Sequence, residues 1–239
     1  MFKNISTAIR RGIKGAFAEP LVLAAAFGMY VLMLAFVWIF IRTREATMLD
    51  LLLTLIAPVI VCVLFFALQS LAVHPKASDG SKRSVSSLFR DGWKLFVVSI
   101  PVILIAIIVW VLMDRFTPSD GGGFARRTLL PAIGMIILYV LLPLVAIRLW
   151  IASSSGVRNT YKSIGRSILN ALNPSRLLIY IVFALVFGGI AYLLIFKKTP
   201  VDREWVEVGL LGSRLVLAGV VIFLGWFLGV RAVTELSSE

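Results

Sequence analysis

The chain has 239 residues, 60% hydrophobic and 15% charged, with 24 Lys and Arg against 12 Asp and Glu for a formal net charge of +12. A mean hydropathy of +0.99 excludes an ordinary soluble domain, in which about half the residues are apolar and about a quarter charged. The single cysteine, Cys62, excludes an internal disulfide and a cysteine-based metal site.

In chain order, the first element is a basic amphipathic helix. Phe2, Ile5, Ile9, Ile13 and Phe17 recur at helical spacing opposite Lys3, Arg10 and Lys14. Glu19-Pro20 then marks a helix start, because proline is tolerated in the first turn. The run after Pro20 is about twenty residues long and lacks a small-x-small cleavage pattern, so it is expected to be a retained span and not a cleaved signal. Six apolar stretches follow one another: Leu21–Ile41, Leu49–Leu71, Leu95–Met113, Leu129–Ile151, Leu177–Phe196 and Val208–Val230. About twenty helical residues cross the hydrocarbon core, and each stretch reaches that length. Only helices fit, because the bilayer offers no water to the backbone and the alternating strands of a barrel are absent.

The segment before the third span repeats the opening pattern. Val85, Leu88, Phe89, Trp93 and Phe96 lie at helical spacing, with Ser86, Ser87, Arg90, Asp91 and Lys94 between them. Arg10-Arg11-Gly12-Ile13-Lys14 aligns with Arg90-Asp91-Gly92-Trp93-Lys94 at an offset of 80 residues. A more diverged copy begins near Val157, where Val157, Tyr161, Ile164, Ile168 and Leu172 alternate with Arg158, Lys162 and Arg166 and lead into Asn173-Pro174-Ser175. Pro101 lies deeper in its span and is expected to kink it. The expected architecture is an all-α integral membrane protein. Its six transmembrane helices form three helical hairpins, each preceded by a basic amphipathic interfacial helix. This threefold internal repeat divides one membrane domain, 1–239, at about 1–75, 76–156 and 157–239. The competing expectation is that the amphipathic segments are plain extensions of spans one, three and five, packed on their neighbours.

Basic residues are unevenly shared between the two sides of these spans. The side holding the first helix, the 74–94 and 148–176 segments and Arg231 carries fifteen of the 24 Lys and Arg residues; the other side carries eight, and Arg214 falls within span six. Cytoplasmic segments carry the excess of Lys and Arg, so both termini are expected in the cytoplasm. The charges sit beside the spans, where they meet anionic phospholipid and not nucleic acid. Arg10, Lys14, Arg90, Trp93, Lys94, Lys162 and Arg166 are therefore the candidate lipid-interface residues, with Trp93 and Phe96 at head-group depth.

Chemistry needs a nucleophile with a base, a metal-ligand set or paired carboxylates. The chain offers none of these, and no catalytic residue, bound metal or cofactor is expected. His74, the one histidine, is expected to be a solvated residue at the end of span two. Arg148 is expected to snorkel to the cytoplasmic interface. Arg214, about two turns into span six, is a candidate anion or ion-pair site, with Glu207 or Asp114 as partners. Gly225 with Gly229, and Ala184 with Gly188, are small-residue pairs suited to helix packing inside the bundle or against another subunit.

The run Ala77-Ser78-Asp79-Gly80-Ser81-Lys82-Arg83-Ser84-Val85-Ser86-Ser87-Leu88-Phe89-Arg90, leading to Gly92, resembles a linker of bacterial six-span proteins. These include the membrane domain attached to some glycerophosphodiester phosphodiesterases. The resemblance implies a membrane module of a bacterial inner membrane and not an enzyme. No barrel-sized soluble region accompanies it, and one histidine cannot supply that family's catalytic pair. The expected role is a non-catalytic scaffold or accessory subunit, in contact with anionic phospholipids and with other membrane subunits. The alternative is a transporter, channel or lipid-handling protein.

Overall fold

The computed structural model describes residues 2–43, 47–74, 84–116, 128–197 and 204–236. The described chain is helical throughout: α1 (Phe2–Ala18), α2 (Pro20–Arg42), α3 (Met48–Val73), α4 (Val85–Phe116), α5 (Leu130–Ile136), α6 (Leu142–Ala152), α7 (Val157–Lys162), α8 (Ile164–Ala171), α9 (Pro174–Phe196) and α10 (Glu204–Glu235). Six stretches are long and apolar enough to cross a membrane: Pro20–Arg42, Met48–Val73, Val85–Phe116, Leu130–Ser155, Pro174–Phe196 and Trp205–Glu235. This is a multi-pass membrane protein.

Local chemistry sets the helix ends. Thr47 and Asp50 form a reciprocal capping box at the start of α3: Asp50 N donates to Thr47 Oγ1 (3.2 Å) and Thr47 N donates to Asp50 Oδ2 (3.1 Å). Two otherwise unpaired amides are thereby satisfied. Ser84 Oγ accepts from Ser87 N at the start of α4, and Asn173 Oδ1 accepts from Ser175 N at the start of α9. Helices begin at Pro20 and Pro174, where the missing proline N–H costs nothing. The fourth span is interrupted. A π-helical turn, Ile137–Leu141, joins α5 to α6 just before Pro143, because a proline deprives the carbonyl four residues back of its donor and crowds it. Gly156, at φ 97°, reverses the chain between α6 and α7, a backbone setting that suits glycine.

The chain divides into two compact units, Leu21–Leu177 and Met1–Pro20 with Leu178–Glu239. In the first unit α4 packs along α3 and α6, and α8 packs on α6. Leu95, Val98, Leu144, Ile147 and Leu149 form the buried centre. Gly92 marks the α3–α4 crossing: a Cβ there would lie 3.2 Å from the backbone of Phe66 and Ala67. In the second unit α1 packs on α10. A Cβ on Gly12 would lie 2.8 Å from Ala232 Cα, so only glycine permits this approach without a shift.

The structure departs from the sequence expectation at the second amphipathic segment. Residues 85–116 form one 32-residue helix, so the second amphipathic segment continues into span three and is not a separate helix. The first and third segments are separate elements, α1 and α7–α8. Pro101 lies within the continuous α4.

Candidate functional site

The polar side chains of the Leu21–Leu177 unit converge where the end of α3, the first half of α4 and the end of α6 meet. Pro101 has no N–H, so the Val97 carbonyl four residues earlier lacks its helical donor. The Tyr161 hydroxyl, from α7, donates to that carbonyl at 2.5 Å. Ser99 Oγ donates to Leu95 O and accepts from Trp150 Nε1, each at 2.7 Å. The Trp150 carbonyl, near the end of α6, accepts from Ser153 Oγ at 2.6 Å and from His74 Nε2 at 3.2 Å. Gln69 and Ser70 are also buried at this junction.

Tyr161, Ser99, Trp150, Ser153 and His74 each serve a backbone carbonyl or a neighbouring side chain. None of the pairs combines a nucleophile with a base. The histidine expected to be solvated is half-buried at the Trp150 carbonyl, because the α3–α6 packing draws it inward. Around the junction Phe66 meets Phe96 and Trp150 edge-on, with centroids 5.4 and 6.5 Å apart. An apolar cleft of about 500 Å³ opens beside them between α3 and α4, lined by Pro58, Cys62, Val63, Phe89, Trp93 and Phe96 among others.

The candidate lipid-interface residues are distributed as follows. Arg10, Lys14, Arg90, Lys162 and Arg166 are exposed, and Trp93 is 65% exposed. Lys94 is half-buried and paired with Asp91, Nζ to Oδ1 3.1 Å, so its charge is shared with its own helix. The face that α1 buries consists of Ile5, Ala8, Gly12 and Ala16. The larger stripe residues Ile9 and Ile13 are half-buried and Phe17 is 56% exposed. Close helix approach selects the small residues and leaves the large ones at the margin.

Span six carries two arginines. Arg214 donates from its NH1 to Lys197 O at 2.5 Å, so it covers a carbonyl at the end of α9, where a cation also meets the negative end of the helix dipole. Arg231 is 5% exposed and lies over the Phe227 ring with NH2 3.8 Å from Glu19 Oε2. Glu19 is half-buried at that contact. Gly225 and Gly229 face α9, where a Cβ on them would lie 2.4 Å and 3.4 Å from the Cβ atoms of Phe187 and Phe183. Of the two uses expected of Ala184 and Gly188, packing inside the bundle is not seen among the described residues. Both residues are exposed, and Gly188 meets open space. The residues just before them, Phe183 and Phe187, are the ones turned toward α10.

No family model, curated protein or solved structure matches the chain. Sequence reading did not single out Trp150, Tyr161 or the Glu19–Arg231 contact. The one available signal was Pro101, whose orphaned Val97 carbonyl demands a donor from elsewhere in the chain.

Proposed function

We propose that this chain is a non-catalytic, multi-pass protein of a bacterial inner membrane, serving as a scaffold or accessory subunit. Residues 1–18 and the 231–239 segment are cytoplasmic in this reading, and the basic face lies against anionic phospholipid. The observation that carries it is the occurrence together of exposed large apolar groups and exposed cations on α1 and along the α7–α8 segment. Phe17 stands beside Arg10 and Lys14, and Leu169 (73% exposed) and Leu172 stand beside Lys162 and Arg166. A helix of this kind is stable at a membrane interface, where the apolar groups leave water and the cations meet lipid phosphate. The apolar cleft beside Trp93 suits an acyl chain.

The threefold repeat is part of the proposal. It is supported by the use of glycine at matching positions, Gly12 on α10 and Gly92 on α3. It is also supported by the third copy, in which Thr160, Ser167 and Ala171 are buried, 155 residues after Ile5, Gly12 and Ala16. In each copy a basic segment packs on a span that returns toward it: α1 on α10, the start of α4 on α3, and α8 on α6.

A scaffold role is supported by the use of the polar groups in the Leu21–Leu177 unit to join helices, and by the largely uncovered spans. Span one buries only Ala26 among its described residues, and Ala184 and Gly188 present a small-residue surface to a neighbour. Polymer extraction of the native membrane, affinity purification of the chain and mass spectrometry of what accompanies it provide the test. We expect at least one stoichiometric membrane protein, and anionic phospholipid enriched over the bulk membrane. Recovery of the chain alone with lipid of bulk composition overturns the proposal.

A further inference from the structure

We infer that Arg148 and Arg176 form a clamp for the phosphate of one anionic phospholipid. This rests on the lipid-contact part of the proposed function and gives it a defined site. It does not depend on an accessory-subunit role.

Arg148 lies in α6 and Arg176 in the first turn of α9, and both are half-buried. Both belong to the junction of α6, α8 and the start of α9. Helix α8, packed on α6, brings them together: Arg176 NH1 donates to the Asn170 carbonyl near the end of α8, which fixes its direction. Among the described residues Arg148 makes no hydrogen bond or ion pair, and the Nε atoms of both arginines are buried without a partner.

Two like charges at partial burial repel and are poorly hydrated, so each needs an acceptor. Among the described residues no carboxylate pairs with either arginine. The described carboxylates of this unit are Asp50, Asp91 and Asp114. Asp50 serves the α3 cap, Asp91 pairs with Lys94, and Asp114 lies near the opposite end of α4 from Lys94. The α9 N-terminus adds partial positive charge beside Arg176. Its first amides already donate to Asn173, so they do not compete for the ligand.

The missing group is an anion with several oxygens, which the planar guanidinium fork binds better than any other side chain. Arg148 ends a largely apolar stretch from Leu129 to Ile147, which puts the pair at the membrane boundary and makes a lipid phosphate its nearest source. Phosphatidylglycerol fits, whereas the choline of a zwitterionic lipid adds a third positive charge to the pair.

The test is arginine modification by phenylglyoxal, mapped by mass spectrometry on the intact chain. It is run in maltoside micelles, in mixed micelles with phosphatidylglycerol or phosphatidylcholine, and in maltoside with inorganic phosphate. We expect phosphatidylglycerol to slow modification of Arg148 and Arg176 together by about tenfold, the size of one or two charge-assisted hydrogen bonds, and to slow exposed Arg158 and Arg166 much less. Unchanged rates at the pair in every arm overturn the clamp. Equal protection by phosphatidylcholine overturns its preference for anionic lipid, and equal protection by inorganic phosphate overturns the lipid assignment.

Native mass spectrometry of Arg148→Gln and Arg176→Gln supplies the second arm. Each is expected to lose retained phosphatidylglycerol by about tenfold, with no further loss in the double variant, because the two act as one site. General enrichment of anionic lipid without protection at this pair sinks the clamp alone. Loss of that enrichment altogether sinks the broader lipid reading.

Discussion

At the residue scale, single atoms decide whether helices can meet. Tyr161→Phe removes the hydroxyl that serves the Val97 carbonyl and leaves that acceptor exposed by Pro101 without a donor. We expect a loss of about 1–2 kcal/mol in unfolding free energy, measured in detergent by denaturant titration. Pro101→Ala restores a helical donor to the same carbonyl, so Tyr161→Phe in that background is expected to cost much less. Glycine substitutions separate contact from propensity. Gly12→Ala drives a methyl into the Ala232 backbone and is expected to destabilise by about 1–3 kcal/mol. Gly15→Ala meets nothing within 4 Å and is expected to stabilise by up to about 1 kcal/mol through helix propensity. Equal effects from the two would contradict the α1–α10 crossing.

At the element scale, the sequence was a good guide to what each helix is and a poor one to which face it buries. The spans, the starts at Pro20 and Pro174 and the polar residue before Pro174 follow from local rules of length, apolarity and capping, and these need no knowledge of neighbours. The donor that serves the Val97 carbonyl was not readable, because Tyr161 lies 64 residues away. The face of α1 that packs on α10 is not legible from periodicity either, for a related reason. Periodicity weights Ile9, Ile13 and Phe17, whereas close packing selects Ala8, Gly12 and Ala16. His74 and Trp150 lie 76 residues apart, and no motif links them. The α3 cap was within reach of local rules, since Thr47 and Asp50 have capping-box spacing. Thr47→Ala is expected to cost about 1 kcal/mol in the same denaturant assay, with Asp50→Ala adding less than its single value because the two residues serve one cap.

For the whole molecule, the strongest constraint is the disposition of charge. Exposed cations on α1, the start of α4 and α8 belong to the basic side of the spans, and Ser213 lies in the outer part of span six under the expected orientation. The lipid clamp and the basic belt both assume this orientation. Helix packing within each unit does not require it. Scaffold, lipid and topology readings therefore share one premise that can be measured without purification. In a Cys62→Ala background, single cysteines replace Ser6 on α1, Ser154 after α6 and Ser213 in α10, all exposed positions. They are challenged in intact cells with a membrane-impermeant maleimide. The account predicts labelling of Ser213→Cys from outside, and of Ser6→Cys and Ser154→Cys only after permeabilisation. Labelling of Ser6→Cys or Ser154→Cys in intact cells would contradict it.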